Sequence, residues 1–420
     1  MVSGPDPTGT VSVVPPPHPS EPMSIHHPEA QAPASRTGRA VRRRPAHDTV
    51  PHRHAHDAGR HASPARAASR DPFFDNAKLL LVTLVVVGHA WNLLPAANTS
   101  TPVYTFLYAW HVPAFVLVTG YLSRSFTFSR RNLHKLVTTV VVPYLLFETL
   151  LSLFRTTVGD ERIGMLYLSP HWPLWYLTAL FLWRLVTPLF KRIPHPVPVA
   201  VAVSLVGGMN TLDWLDLPRT LGLLPFFVAG LTMRREQFEW LARPRVRVVA
   251  AGLLTTAFVA ATFLHDVSKE WLYWRTGYPD LGVPFWEGVL GRGAVMVVAA
   301  TLALSALSLI PTSQRWFTPL GSASLVVYLF HPFLVKAADY AGLGGASEQD
   351  PVTAFLLVTG GAVLVSLLLS ASPVSRRLNR LVDPISTLTE EMPGALHPTH
   401  HRLATTGRLA LTHHDPTRHR

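Results

Sequence analysis

From Phe74 onward the chain alternates between long apolar stretches and short polar connections. The stretches lie near 77–95, 104–123, 135–154, 172–190, 197–212, 219–233, 246–265, 286–310, 318–338 and 352–372. An apolar run of about 20 residues crosses the ~30 Å hydrocarbon core of a bilayer as a helix. A helix also bonds all of its own backbone groups, which lipid cannot do. The pattern therefore predicts an all-α fold, a polytopic transmembrane helix bundle of about ten spans. The stretches 197–212 and 219–233 are short and marked by Gly or Pro. Pro113 predicts a kink in the second span, which a bundle tolerates. Residues 1–70 and 376–420 show no such run, and both tails are expected to be disordered. Between them, residues 71–375 form one transmembrane domain.

Charge refines this picture. Only 15% of residues are charged, yet the net charge is +12. Hydrophobicity with a basic excess fits a membrane protein whose cytoplasmic loops carry Lys and Arg. The loops alternate accordingly. The second holds Arg124, Arg130, Arg131 and Lys135, and the sixth holds Arg234, Arg235, Arg243, Arg245 and Arg247, while the first has neither Lys nor Arg. That alternation places both termini in the cytoplasm of a multi-pass cell-membrane protein, with the first helix as its own insertion signal. The arginine-rich tail is expected to touch anionic lipid headgroups. It lacks the interleaved aromatics of a nucleic-acid-binding arm. Its histidines His52, His54, His56 and His61 read as a low-complexity spacer rather than a metal site. With no cysteine, disulfides, thiolate metal sites and a cysteine nucleophile are excluded.

Candidate chemistry lies inside the spans. An ionisable side chain at membrane depth is costly, so it is a functional candidate by default. His89 ends the first apolar run, eleven positions after Lys78. At ~1.5 Å per residue the two lie ~16 Å apart along a helix. Counted from the cytoplasmic end of each helix, His89, His111, Glu148 and His331 all fall ~18–20 Å deep. A bundle that gathers them around one wet cavity would satisfy them mutually. A buried imidazole beside a carboxylate suits a general base acting on an alcohol near neutral pH. Lys78, Arg124, Arg130 and Arg131 line the cytoplasmic rim, where they suit the phosphates of an anionic donor. Positive-inside charge alone also accounts for them. Trp175, Tyr176 and His331 are acceptor-site candidates, and an aromatic belt is the alternative for the first two. No Walker loop, HExxH or serine-elbow motif is present.

Four stretches give these residues a context. They are Phe74-Asp75-Asn76-Ala77-Lys78 with Val87-Gly88-His89, then Trp110-His111-Val112-Pro113-Ala114-Phe115 with Thr119-Gly120-Tyr121. Val142-Pro143-Tyr144-Leu145-Leu146-Phe147 is the third, and Leu320-Gly321 with Tyr328-Leu329-Phe330-His331-Pro332 is the last. The sequence resembles acyltransferase family 3, the ten-helix membrane acyltransferases, and its fucose 4-O-acetylase-like branch in particular. Trp175-Tyr176-Leu177 is similar to a further family signature. The resemblance implies an O-acetyltransferase with no bound cofactor and no metal. Its donor would be cytoplasmic acetyl-CoA or another acyl-CoA, and its acceptor a hydroxyl of a sugar or cell-envelope glycoconjugate, a glycan or a glycolipid. His89 would act as general base or as an acyl relay, Glu148 and His111 would be further catalytic candidates, and Lys78 would hold the donor. Arg124 and the Arg130-Arg131 pair approximate the family's paired arginines. The rival reading, from midplane histidines beside a carboxylate, is an exporter or flippase of a lipid-linked glycan or small acid.

Overall fold

The computed structural model describes residues 71–94, 102–212, 214–264, 268–344 and 350–382. The tail of residues 1–70, with its histidine and arginine clusters, lies outside them, as does the chain from 383. Among the described residues the fold is all helix. In chain order come α1 (Pro72–Ala90), α2 (Pro102–Tyr108), α3 (His111–Ser123), α4 (Arg130–Leu136), α5 (Val142–Thr157), α6 (Trp175–Phe190), α7 (Pro196–Gly207) and α8 (Leu217–Thr232). After them come α9 (Arg235–Leu241), α10 (Pro244–Ala261), α11 (Glu270–Tyr273), α12 (Phe285–Leu309), α13 (Ser324–Tyr340), α14 (Pro351–Ser370) and α15 (Ser372–Val382).

Among the described residues every predicted apolar stretch contains a helix, and seven helical segments are long and apolar enough to cross a membrane. The three that fall short are α6, α7 and α8, with 16, 12 and 16 residues. The residues just before α7 and α8, His195 and Asp216, both have φ of 53°, the left-handed region that L-residues seldom adopt. These turns redirect the chain at the start of each helix. On the outer helices the apolar side chains face outward. Val248 of α10 is 74% exposed and Leu357 of α14 is 70% exposed, as expected where lipid is the solvent. The expected C-terminal tail starts as ordered structure, because α15 carries Arg376 and Arg377 through to Val382.

Local sequence explains the elements that position the site. Asp71 caps α1 by accepting from the Phe73 N–H at 3.0 Å, and Pro72 fills the first position, where no amide donor is needed. The kink expected at Pro113 sits one turn earlier, at Ala109 and Trp110 between α2 and α3. A proline removes the amide that would bond the carbonyl four residues back, so the break appears there. Between α3 and α8 the backbones touch. A Cβ on Gly120 would lie 2.0 Å from the Phe227 carbonyl oxygen, and one on Gly230 would lie 1.9 Å from that of Leu117. Reciprocal small residues allow this crossing, the usual way helices associate tightly in membranes. It fixes His111 on α3 relative to Arg219 on α8.

Candidate active site

The face where α1 begins is called near, and the opposite one far. His89 lies in the last turn of α1, toward the far face, and lines a cavity of about 270 Å³. His111, Tyr104, Tyr108, Trp175, Tyr176 and Arg219 line the same cavity. Asn92, Glu270 and Arg275 also line it.

The hydrogen bonds behind His89 fix the protonation of its ring. His331 places Nδ1 3.1 Å from the Val327 carbonyl oxygen. A carbonyl only accepts, so His331 Nδ1 carries the proton and its Nε2 holds a lone pair. His89 Nδ1 is 2.9 Å from that Nε2 and must be the donor. In the neutral pair His89 Nε2 is then left unprotonated. The Trp172 ring lies 4.4 Å from the His89 ring and holds its other side. His111 repeats the pattern: Nδ1 donates to the Leu107 carbonyl at 2.7 Å, leaving Nε2 as an acceptor.

Aromatic and cationic groups complete the walls. Tyr104 stacks on Tyr108 at 4.0 Å, and its hydroxyl meets that of Tyr273 at 3.0 Å. Burial raises the Tyr273 phenol above its ordinary pKa, so it stays a neutral donor. The Arg219 guanidinium lies 4.6 Å over the Trp175 ring, bonds the Tyr273 carbonyl at 3.0 Å and pairs with Asp216 at 3.0 Å. A charge so braced is available to steady negative charge developing in the cavity.

Glu148 is not in this cavity. It is fully buried and accepts the His171 backbone N–H at 3.1 Å, while the His171 ring contacts the same carboxylate. Equal depth along two helices does not imply the same side, and Glu148 faces the connection before α6. Its effect on His89 is indirect: it anchors His171, the neighbour of Trp172. Tyr328 anchors that connection from α13 by donating its hydroxyl to the Pro173 carbonyl. His331, an acceptor-site candidate from the sequence, stands behind His89 instead of lining the cavity.

Lys78 lines a separate cavity of about 220 Å³ on the near side, with Thr119, Thr139 and Arg184. Lys78 pairs with Asp75 at 2.7 Å. Arg184, on a helix inside the bundle, makes no ion pair or hydrogen bond among the described residues. The near and far cavities share three lining side chains, Phe115, Tyr176 and Tyr328. Tyr176 is tied across this wall by a 2.5 Å hydrogen bond with Thr119. Of the predicted rim arginines, Arg124 covers the Tyr121 ring at 3.9 Å, and Arg130 and Arg131 are exposed at the start of α4. None of the three lines the near cavity.

The far cavity thus holds two imidazole nitrogens left as acceptors, and the near cavity holds Lys78 and Arg184. The profile of the family described as "Acyltransferase domain" matches residues 71–371, most of the chain. The chain belongs to this acyltransferase family. The match begins at the residue capping α1 and ends just past α14, so it takes in both cavities. Two curated relatives are each named nodulation protein NolL. That of Mesorhizobium japonicum is 21% identical over 353 residues, covering 73% of this chain and 88% of the relative. That of Sinorhizobium fredii is 29% identical over 365 residues, covering 75% and 95%. No solved structure matches the chain.

Sequence reasoning missed several residues of this acyltransferase's two cavities and their supports, among them Tyr104, Tyr108, Arg184, Arg219, His171 and Tyr273. Arg184 carried a readable signal, a lone guanidinium within an apolar span. His171 and Tyr273 sit in connections between spans, where no periodicity marks them.

Proposed function

We propose that this acyltransferase moves an acetyl group from acetyl-CoA, taken up at the near face, to a hydroxyl of a sugar or cell-envelope glycoconjugate in the far cavity. The observation that carries the reading is the chain Val327 carbonyl, His331, His89, which leaves His89 Nε2 as a proton acceptor in that cavity. Nε2 takes the proton of the acceptor hydroxyl as its oxygen attacks the thioester carbonyl. The C–S bond then breaks, and the protonated imidazole returns the proton to the thiolate. The products are an O-acetyl ester and CoA. While His89 is protonated its charge is shared through Nδ1–H with His331 Nε2, and Arg219 faces the oxyanion. A general base of this kind contributes about 10²–10⁴-fold.

On the near side Lys78 and Arg184 suit the donor's phosphates, with Arg124, Arg130 and Arg131 as the surrounding positive surface. The near face is the cytoplasmic one, as the basic loops at that side indicate. Both termini then lie in the cytoplasm of a cell-membrane protein, and the basic α15 lies where it meets anionic headgroups. Membership of an acyltransferase family favours transfer over export.

The test uses purified protein in nanodiscs with radiolabelled acetyl-CoA and a glycan extract of the producing cells. His89→Ala is expected to cut transfer by at least about 100-fold while leaving CoA binding intact. Full transfer by a folded His89→Ala protein contradicts the proposal.

A further inference from the structure

A thioester from the near cavity and a hydroxyl in the far cavity can react only where the two cavities meet. That place is a wall of three side chains, Phe115, Tyr176 and Tyr328, the residues that line both cavities among those described. A carbonyl that enters from the near side and is attacked from the far side lies at this wall. Negative charge develops on its oxygen there, and such charge is best met by a hydrogen-bond donor already in place. Phe115 has no donor to give. Tyr328 has spent its hydroxyl proton on the Pro173 carbonyl. Tyr176 remains.

The hydrogen bonds around Tyr176 fix where its proton points. Its hydroxyl lies 2.5 Å from that of Thr119, and the Thr119 hydroxyl also lies 2.8 Å from the Phe115 carbonyl oxygen. A carbonyl only accepts, so both bonds form at once when Thr119 donates to Phe115 and accepts from Tyr176. The Tyr176 proton is thus held by a neutral hydroxyl, a weaker acceptor than a charged oxygen. Thr119 lines the near cavity and not the far one, so the hydroxyl end of Tyr176 faces the side from which the donor enters. The ring behind it is braced by Phe115 at 5.1 Å, Tyr328 at 5.6 Å and Trp183 at 6.2 Å. Nor is the bond to Thr119 needed to join the helices, since α3 and α6 both pack against α8.

We infer that the Tyr176 hydroxyl is a catalytic hydrogen-bond donor to the thioester carbonyl, exchanging Thr119 for the substrate oxygen. The inference rests on the proposed transfer and adds a residue to it. As the acceptor oxygen adds to the carbonyl carbon, the C=O electron pair moves onto the carbonyl oxygen. A hydrogen bond to a charged acceptor is roughly twice as strong as a neutral one, so the exchange favours the transition state over the resting enzyme. When the C–S bond breaks, the carbonyl re-forms, the charge leaves with the thiolate, and the phenol returns to Thr119. Tyr176 keeps its proton throughout, and His89 remains the base. Arg219, from the far cavity, is the second group that steadies the same oxygen.

Two near-isosteric variants separate this role from a structural tie. Tyr176→Phe keeps the ring and loses the donor, whereas Thr119→Val keeps the donor and removes its resting partner. Infrared difference spectra of carbonyl-labelled ¹³C-acetyl-CoA bound to protein in nanodiscs read the hydrogen bond, because a donor lowers the carbonyl stretch. The stretch is expected to be lowest in Thr119→Val, where the phenol has no other partner, and highest in Tyr176→Phe. With the glycan extract as acceptor, Tyr176→Phe should lower kcat by about 100-fold, the scale of one lost oxyanion donor, with donor KM as in wild type. Equal stretches in the two variants, or a wild-type kcat in Tyr176→Phe, overturn the inference and leave the transferase reading standing. Equal losses of kcat in both variants also overturn it, since a tie within the wall would behave that way. Should Tyr176→Phe fail to bind CoA, a stretch higher in Thr119→Val than in wild type overturns the inference by itself, and a stretch as low or lower supports it. Absence of transfer in the wild type, with CoA bound normally, overturns both readings.

Discussion

The two cavities that meet at Phe115, Tyr176 and Tyr328 are built differently. In the far one nearly every polar group is committed. His331 is tied to a carbonyl, His89 to His331, Arg219 to Tyr273 and Asp216, and Tyr104 to Tyr273. In the near one the cations are loosely held: Lys78 has a single neighbour three residues away, and Arg184 has no hydrogen bond or ion pair among the described residues. Fixed groups cost no reorganisation when charge develops, which is where catalysis gains. A cation with no internal hydrogen bond or ion pair, as Arg184 is among the described residues, is available to a charged ligand. The contrast supports the proposed division, with chemistry on the far side and donor capture on the near side.

That division makes substitutions separable. The largest expected effect is at His331. His331→Phe removes the acceptor that sets the His89 tautomer, and kcat should fall by about 100-fold, within the range of general-base contributions, with donor KM unchanged. His331→Gln, whose amide oxygen still accepts, should recover part of the loss. An unchanged kcat in His331→Phe would break the far half of the comparison. Next comes Arg184→Ala, for which donor KM should rise by about 10-fold, the scale of one charge-assisted hydrogen bond, with kcat and acceptor KM hardly moved. Steady-state kinetics with each substrate varied in turn checks both.

The smallest effect concerns the network around Glu161 on the far side. Burial opposes ionisation of Glu161, but hydrogen bonds from Arg155, Tyr340 and Lys336 outweigh it and hold its pKa down at about 2. A carboxyl whose folded pKa lies below its unfolded value of about 4.5 stabilises fully above that value. The contribution is then lost as pH falls toward about 2. Glu161→Gln should therefore lower Tm modestly at pH 7, and the difference from wild type should close between pH 4.5 and 2. A difference independent of pH would show that the network acts through packing and not through charge.

Much of this was legible in the chain, for identifiable reasons. Apolar run length marked every long helix, because lipid demands it. His89, His111 and Lys78 were visible as rare ionisable groups in apolar surroundings. Axial counting gave depth but not direction around the helix, so it put Glu148 with His89 when its partner is His171, 23 residues on in the chain. It also could not show that His331 stands behind His89. Arg130 and Arg131 looked like donor ligands because both belong to a basic loop, whereas Arg184, a lone guanidinium within an apolar span, is the cation that shares a cavity with Lys78. Trp172 could be read as part of an interfacial belt, since its contact with His89 depends on a connection that no periodicity describes.

The account turns on which nitrogen of His89 carries the proton. Solid-state NMR of ¹⁵N-histidine-labelled protein in lipid, with His89→Ala subtracted to assign the signals, reads this directly. The predicted result is a protonated Nδ1 and a bare Nε2 on His89, with a Nδ1–H tautomer on His331. A proton found on His89 Nε2, with Nδ1 as the acceptor, would contradict the account, because that ring would have no base to offer the cavity.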